Sequence, residues 1–405
     1  MIWKSFYSDR LQLAASVWLI VTSLVFVSYA LLNPKAHWDM LAYAATAEQL
    51  NKTDPQVIHE KVYNELEARV SAEEFETITS SNHYRTVMYD DVQAFNEQLP
   101  YYSIRIAFNA LLATFSDLGV SAYDTGFVIS ALAFVVSLLV IWGSLVNRIH
   151  PVVQIILPLL FYNYTDNLQV IRIILADSLA TLWAASICIA YLRKSRMLFV
   201  LIALSALFRI DLAIFAGLVL LLMLFTEDRK NVRLLALCGV FLVGSFLLVQ
   251  YWAGSYGWKT LYYFAIISDM NATHPSEYRE LGFTIEEYFR SLYDPSRWFS
   301  KMYLVTALCG IITLFVWRTS ETDSFNRRVC RISFVCILYI AVHYFIFPQM
   351  YLRFFVSQNL MIVAGFGVLC TSYWCAYVKD KTPAVEVTRL TELKGSGGLT
   401  NSYRR

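Results

Sequence analysis

Charge is what this 405-residue chain has least of. Only 16% of its residues are Asp, Glu, Lys or Arg, where an ordinary soluble domain has about a quarter. That shortfall, set beside 57% hydrophobic residues and repeated apolar runs of roughly membrane-spanning length, reads as a polytopic membrane protein. A net charge of +2 is too small to imply a nucleic-acid partner. Cysteine is scarce in the places where it would carry chemistry. All seven (Cys188, Cys238, Cys309, Cys330, Cys336, Cys370 and Cys375) lie in or beside apolar runs, and none forms a CxxC pair. They read as small buried hydrophobes, which leaves no disulfide framework and no thiolate metal site. No repeat of 20–50 residues is visible, and MIWKSFYSDR runs into its apolar stretch without a small-residue cleavage site, so a retained first span is expected.

What is there is an all-α pattern of about ten transmembrane helices, some of them short or broken: 14–32, 123–147, 151–163, 167–192, 198–209, 211–226, 234–254, 301–318, 330–347 and 354–378. The fifth and sixth read as two halves of a hairpin interrupted at Arg209-Ile210-Asp211. With the N-terminus cytoplasmic, the inner connections are RKSR (193–196), EDRKNVR (227–233), 318–331 and the tail, each rich in Lys and Arg. Residues 33–122 run the other way, with 6 Lys/Arg against 13 Asp/Glu. The positive-inside rule therefore predicts both termini inside and the large loops 33–122 and 255–300 outside. Residues 1–378 read as one membrane domain and 379–405, with GSGG at 395–398, as a mobile cytoplasmic tail.

The first outer loop has helical content of its own. Asp54-Pro55 opens a pattern with Ile58, Val62, Leu66 and Val70 on one face, and Ser71 with Glu74 fits a capping box. From Tyr101 to Phe115 an apolar stripe lies beside Arg105 and Asn109. Such helices suit the membrane interface, packed over the spans.

Charges at membrane depth are costly, about 2.5–3.5 kcal/mol each on insertion scales, and usually mark a pathway or site. Asp39, Arg172, Asp177, Arg209, Asp211, His343, Gln349 and Arg353 all map to the outer ends of spans in this topology. Each also has a plainer reading. Asp39 is a possible N-cap for the helix through Leu50. Arg209 and Asp211 can pair with each other or snorkel, Arg353 can anchor at the interface, and His37 and His343 can be structural. Asp90-Asp91 has the look of a metal-binding pair, yet adjacent loop acids are normally solvated.

Taken in order, four stretches resemble the GT-C superfamily of membrane glycosyltransferases. They are His37-Trp38-Asp39 with Tyr43-Ala44 just after the first span, LPYYSIRIAFNALL (99–112) closing the first outer loop, RIILADSLATLWAA (172–185), and FRIDLAIFAGLVLLL (208–222). The pattern covers residues 14–222; beyond them only hydropathy and Tyr351-Leu352-Arg353 before the last span match. The chain departs from well-known members in having no large soluble domain after that span and no Asp-x-Asp or Glu-x-Asp in the first loop. The resemblance implies a GT-C-like fold and transfer of a sugar from a polyprenyl phosphate at the outer face. The departures favour a monosaccharide donor without an obligatory metal, so no cofactor is expected, a divalent metal being the one candidate.

The chemistry asked of such a site is modest. A phosphate leaves readily, so the protein must stabilise its charge and deprotonate the attacking hydroxyl. On the resemblance, Asp39 is the general base of an inverting transfer. Arg353 grips the lipid phosphate through bidentate hydrogen bonds, with Arg209 or Arg172 as second cation. Asp177 and Asp211 hold the arginines or sugar hydroxyls, His37, Tyr43 and Tyr351 complete the site, and the loop 255–300, with Trp258, Asp269, His274 and Glu277, covers it. The expected partners are a polyprenyl-phosphate sugar, a glycan or glycolipid acceptor and membrane lipids, with no nucleic acid. A bacterial inner membrane, with the site facing the periplasm and serving cell-envelope polysaccharide or lipopolysaccharide synthesis, is the expected setting. A transporter would share the polar groups amid broken spans, and a polysaccharide polymerase or ligase would share the outer arginines.

Overall fold

A computed structural model describes residues 9–51, 54–155, 167–226, 231–294, 306–313, 315, 324–349 and 351–381. Every regular element among them is helical. The chain enters through α1 (Asp9–Leu32) and then builds the first loop from α2 (Asp39–Leu50), α3 (Pro55–Glu67), α4 (Ala72–Ser80), α5 (His83–Asp90), α6 (Val92–Gln98) and α7 (Ile106–Asp117). It continues through α8 (Ala122–Leu145), α9 (Ala176–Leu192), α10 (Met197–Ala203), α11 (Leu212–Thr226) and α12 (Val232–Trp252), and ends in α13 (Ser324–Ile346) and α14 (Val356–Lys381).

Five stretches are long and apolar enough to cross a membrane: Arg10–Leu32, Ala122–Arg148, Val232–Trp252, Ser324–Ile346 and Arg353–Cys375. They coincide with five of the ten spans expected from sequence. On α12 the apolar Val240, Phe241, Val243, Leu247 and Leu248 are exposed, a surface too large and apolar for water and suited to lipid. Other expectations need correction. The stretch 167–192 is not one continuous helix: a turn of helix, Asn167–Val170, is separated from α9 by non-helical residues 171–175. The stretch 198–209 divides into α10 and a short helix, Ser205–Phe208. Of 151–163 only 151–155 are described, and of 301–318 only 306–313 and 315; the rest of both lies outside the described residues. At the far end α14 runs through Lys381, past the expected start of the tail at 379.

The breaks are what bring polar groups together. A chain leaving helical geometry inside an apolar layer must satisfy its backbone locally, and Ser130 of α8 does this for 171–175. Its Oγ accepts from Leu175 N (3.0 Å) and lies 3.2 Å from Leu175 O, to which it donates. Gly126, one turn earlier on α8, leaves room for Ile174: a Cβ there would stand 2.7 Å from Ile174 Cγ2. Close packing of α8 on α9 around Trp142, Ile141, Ala180 and Ala184 then holds the start of α9 in place. The second break is at Arg209, whose backbone is extended (φ −163°, ψ 131°) between Ser205–Phe208 and α11.

The first loop folds as a small helical cap. Its sequence signals operate as read: Asp54 accepts from Gln56 N, and Ser71 and Glu74 form the capping box. Its helices share a core of Trp38, Tyr43, Val62, Phe95, Phe108 and Leu112 that continues into Tyr123, Ile174 and Ala176 at the ends of α8 and α9. The expected helix over 101–115 is interrupted, with one turn at Pro100–Ser103, a break at Arg105 and then α7. The second loop docks on this cap through Gln98 Nε2 to Thr273 O (2.8 Å) and Ser276 N to Glu97 (3.0 Å). It also reaches the end of α13, where Trp258 Nε1 donates to Ile346 O (2.9 Å).

Candidate active site

Asp39 opens α2, but it does not cap it. The N-cap position is Trp38, and no side chain makes the capping bond. The carboxylate turns away from its own backbone and collects partners from elsewhere: Tyr102 Oη donates to Oδ1 (3.0 Å), and Arg353 Nη1 stands 3.4 Å from Oδ2. His37 Nδ1 lies 3.5 Å from the same oxygen and accepts a hydrogen bond from Asp39 N (3.3 Å). With Nδ1 an acceptor, the ring is the neutral tautomer protonated on Nε2. Trp38 is buried against Tyr84 and Tyr102, which fixes the start of the helix.

From Asp39 an alternating row of charges runs inward across five segments. Arg353, in the turn before α14, bridges Asp39 and Asp177, its Nε 3.5 Å from Asp177 Oδ2. Asp177, in the first turn of α9, accepts from Arg209 Nη1 (2.9 Å). Arg209 at the second break also pairs with Asp211. Asp211 receives Tyr339 Oη (2.8 Å) and His343 Nε2 (3.2 Å) from α13. Phe354 lies between the two cations, its ring centre 4.6 Å from the Arg209 guanidinium and 5.5 Å from that of Arg353. Asp39 and Arg353 form the mouth of the row, with side chains 15% and 24% exposed; Asp177 and Arg209 behind them are 5% and 8% exposed, and Asp211 beyond Arg209 is 20% exposed.

Bond lengths divide the row in the same way. The Arg209–Asp177 contact has the length of a good charge-assisted hydrogen bond, whereas Arg353 reaches its carboxylates only at 3.4 and 3.5 Å. The Nε of Arg353 is buried without a hydrogen-bond partner. Arg209 is thus held on both sides by carboxylates, while Arg353 keeps donor capacity at the mouth. Three carboxylates face two guanidiniums in the row, an excess of one negative charge before any histidine is counted.

Around the mouth, burial drives the titration behaviour. Burial pushes the Asp39 carboxyl up, but Arg353, His37 and the Tyr102 hydrogen bond outweigh it and leave it below its ordinary range. His37 is lowered, first by burial, against which the neighbouring Asp39 pulls upward. Burial, reinforced by Asp39, raises Tyr102 far above the phenol value, and Tyr43 is pushed up to about 12, chiefly by burial. At neutral pH the mouth therefore holds an ionised Asp39, a neutral His37 and two protonated phenols.

Of the residues singled out from sequence, His37, Asp39, Asp177, Arg209, Asp211, His343 and Arg353 form this one network. Tyr351 lies under Arg353, its ring centre 5.2 Å away, and Tyr43 packs edge-on against Tyr102 at 5.2 Å. Arg172 is the exception. Its Nε donates to Asn33 O (2.6 Å) and its guanidinium lies over Tyr29, so it ties the exit of α1 to the break before α9 instead of serving as second cation. Asp91 caps α6 through Gln93 N and Ala94 N and meets His274 at 3.3 Å. Neither role is that of a metal ligand, and among the described residues no group of three or more His, Cys, Asp or Glu could hold a metal ion. The second loop covers the cap more than the charges: Trp258 and His274 make the contacts already given, and Asp269 takes a left-handed backbone (φ 50°).

Two contributors were passed over in the sequence. Tyr102 holds Asp39 directly. Arg105, at the break before α7, has its guanidinium 5.6 Å from the Tyr102 ring centre and 5.9 Å from that of Tyr43. It has no carboxylate partner among the described residues, its Nε is buried and unbonded, and it lowers Asp39 electrostatically. The signal for it was a lone arginine inside an otherwise apolar stripe. Comparison with protein-family models, with curated proteins and with solved structures finds no match.

Proposed function

We propose that the chain is a membrane glycosyltransferase that moves a monosaccharide from a polyprenyl phosphate to a hydroxyl of a glycan or glycolipid. The observation that carries this reading is the pairing of Asp39 with Arg353 at the mouth of the row. A carboxylate and a guanidinium with spare donors stand side by side, which is what a base and a phosphate ligand must do. The oxyanion of the donor takes the donors of Arg353 that Asp39 and Asp177 only partly satisfy, and Arg105 adds a second positive charge. In displacing Asp39 from Arg353, the phosphate frees that carboxylate to accept the proton of the incoming hydroxyl. The hydroxyl oxygen attacks the anomeric carbon as the carbon–phosphate oxygen bond breaks. The electron pair leaves with the phosphate, and attack from the opposite face inverts the centre. The leaving group needs no proton, and the two phenols at the mouth, Tyr102 and Tyr43, are both too weak to supply one.

The inner cluster of Asp177, Arg209, Asp211, Tyr339 and His343 supports Arg353 from behind and fixes where its guanidinium points. The full ten-span topology, with both termini cytoplasmic and the mouth facing the periplasm of a bacterial inner membrane, belongs to the same proposal. The test is direct. Purified protein is incubated with labelled polyprenyl-phosphate hexoses and pentoses and with membrane glycolipids, and label is followed into the acceptor. Transfer from at least one donor is expected, and no donor consumption across the panel counts against the reading.

A second reading has one observation in its favour: Asp177 and Asp211 share Arg209, and Asp211 reaches His343, an arrangement of buried acids and a histidine like that of a proton-carrying transporter. It predicts uptake of a solute into proteoliposomes driven by a pH gradient and abolished by Asp211→Asn, with no sugar transfer.

A further inference from the structure

At the opposite end of α2 from Asp39 lies a second polar recess, separate from the charge row. It is a cavity of about 370 Å³ between the cap and the end of α12, and Gln49, Asn96, Glu97, Asn109, Trp252 and Tyr256 are among the residues that line it. That volume falls within the usual range for small-ligand sites, roughly 300–1,000 Å³.

Its polar groups are held in place and left incomplete. Gln49 Nε2 donates to Asn96 Oδ1 (2.9 Å), which orients both amides. Asn109 is almost wholly buried and donates through Nδ2 to Tyr102 O (2.9 Å), while its Oδ1 has no hydrogen-bond partner. A buried acceptor without a donor costs about 1–3 kcal/mol, so a ligand that brings an O–H to this point gains what the free protein forgoes. Among the described residues Glu97 alone of the lining is charged, and it is already engaged by Gln93 Nε2 (2.9 Å) and Ser276 N (3.0 Å). Among the described residues no cation lines the cavity, which disfavours phosphates and anionic headgroups. Trp252, 53% exposed, and Tyr256 supply aromatic faces. Amides, an unpaired acceptor and aromatic rings without a cation are the chemistry of a neutral, hydroxyl-rich ring.

We propose that this cavity binds a sugar of the acceptor glycan, set back from the hydroxyl that reacts at Asp39. The inference rests on the glycosyltransferase reading. Thr46, Gln49 and Leu50 of the lining share α2 with Asp39, and seven to eleven residues of helix at 1.5 Å each span about 10–16 Å. A short oligosaccharide covers that distance. Asn109 also connects the two places, since it holds the Tyr102 backbone while Tyr102 Oη holds Asp39.

The test measures binding without donor and without turnover. Protein in nanodiscs is mixed with methyl glycosides of glucose, galactose, mannose and N-acetylglucosamine and with their methyl disaccharides, and bound sugar is read by saturation-transfer NMR. At least one probe should bind. Asn109→Leu and Trp252→Ala should each weaken it at least tenfold, and Asp39→Asn should leave it unchanged. Trp252 lies at the rim, so its variant keeps the test valid if Asn109→Leu does not fold. Absence of binding across the panel, indifference to both cavity variants, or loss of binding in Asp39→Asn overturns the proposal. Sugar binding that survives when no donor supports transfer leaves the cavity standing and removes the glycosyltransferase reading instead.

Discussion

At the scale of single residues, the outcome turns on which charges are saturated. Arg209 sits between two carboxylates in a buried setting, and removing one partner of such a set usually costs about 3–5 kcal/mol. Arg209→Met should therefore lower the melting temperature markedly in detergent, whereas Arg353→Lys, at the mouth, should leave stability near that of the parent and raise the donor KM. An unchanged KM in the Arg353 variant would remove it as the phosphate ligand. The acid limb of activity belongs to His37. Its pKa lies below the ordinary value of about 6.5, so the neutral form predominates above that pH and activity should change little there. Below that range protonation places a cation against Asp39, makes it a weaker base, and activity should fall. In His37→Gln the fall should move to lower pH; an unmoved profile contradicts the assignment. The stability sign agrees. Because the folded state resists protonating His37, stability drops as pH falls from about 6.5 through its folded pKa, and Asp39, also depressed, holds its own contribution until still lower pH. The expected topology put Asp39, Asp177, Arg209, Asp211 and Arg353 at the same ends of their spans, and the structure brings these five into one row. The sequence could not show that Arg172 turns toward Asn33, because that is decided by the break at 171–175, which a hydropathy pattern does not register.

At the scale of elements, the helix breaks do the positioning. Capping boxes and Asx caps are local chemistry, so the starts of α3 and α4 were legible residue by residue. The interruptions at 171–175, Arg209 and Arg105 were only partly so. Arg209-Ile210-Asp211 announced itself through its charges, while 171–175 is apolar on both sides of Arg172 and passes for helix. What stabilises that break is Ser130 across from it and the missing side chain of Gly126, both tertiary facts. Gly126→Leu should overpack Ile174, at a cost of about 1–3 kcal/mol, and shift Asp177. The expected result is a lower melting temperature together with lost transfer, and a variant with unchanged stability would show that the close approach is not required. The first-loop helices read as amphipathic from sequence, but their apolar faces pack on one another and on Tyr123 and Ile174, a choice of partner that periodicity alone leaves open.

At the scale of the whole molecule, a membrane-spanning chain was plain from its scarcity of charge, and five long apolar helices carry it. The proposed orientation is checked by thiol labelling. Leu118→Cys, at the exposed end of the cap, should react with a membrane-impermeant maleimide in intact cells, and Lys194→Cys should react only after lysis. The reverse pattern would put the charge row on the cytoplasmic side. The central claim is that one carboxylate at the mouth of the row takes the acceptor proton while the arginine beside it holds the donor. It is tested most directly by Asp39→Asn, which keeps the shape and removes the base. Donor binding by that variant should match the parent in a titration with polyprenyl-phosphate sugar, while transfer to acceptor falls by at least a thousandfold. Transfer at the parental rate by a folded Asp39→Asn protein would contradict the account.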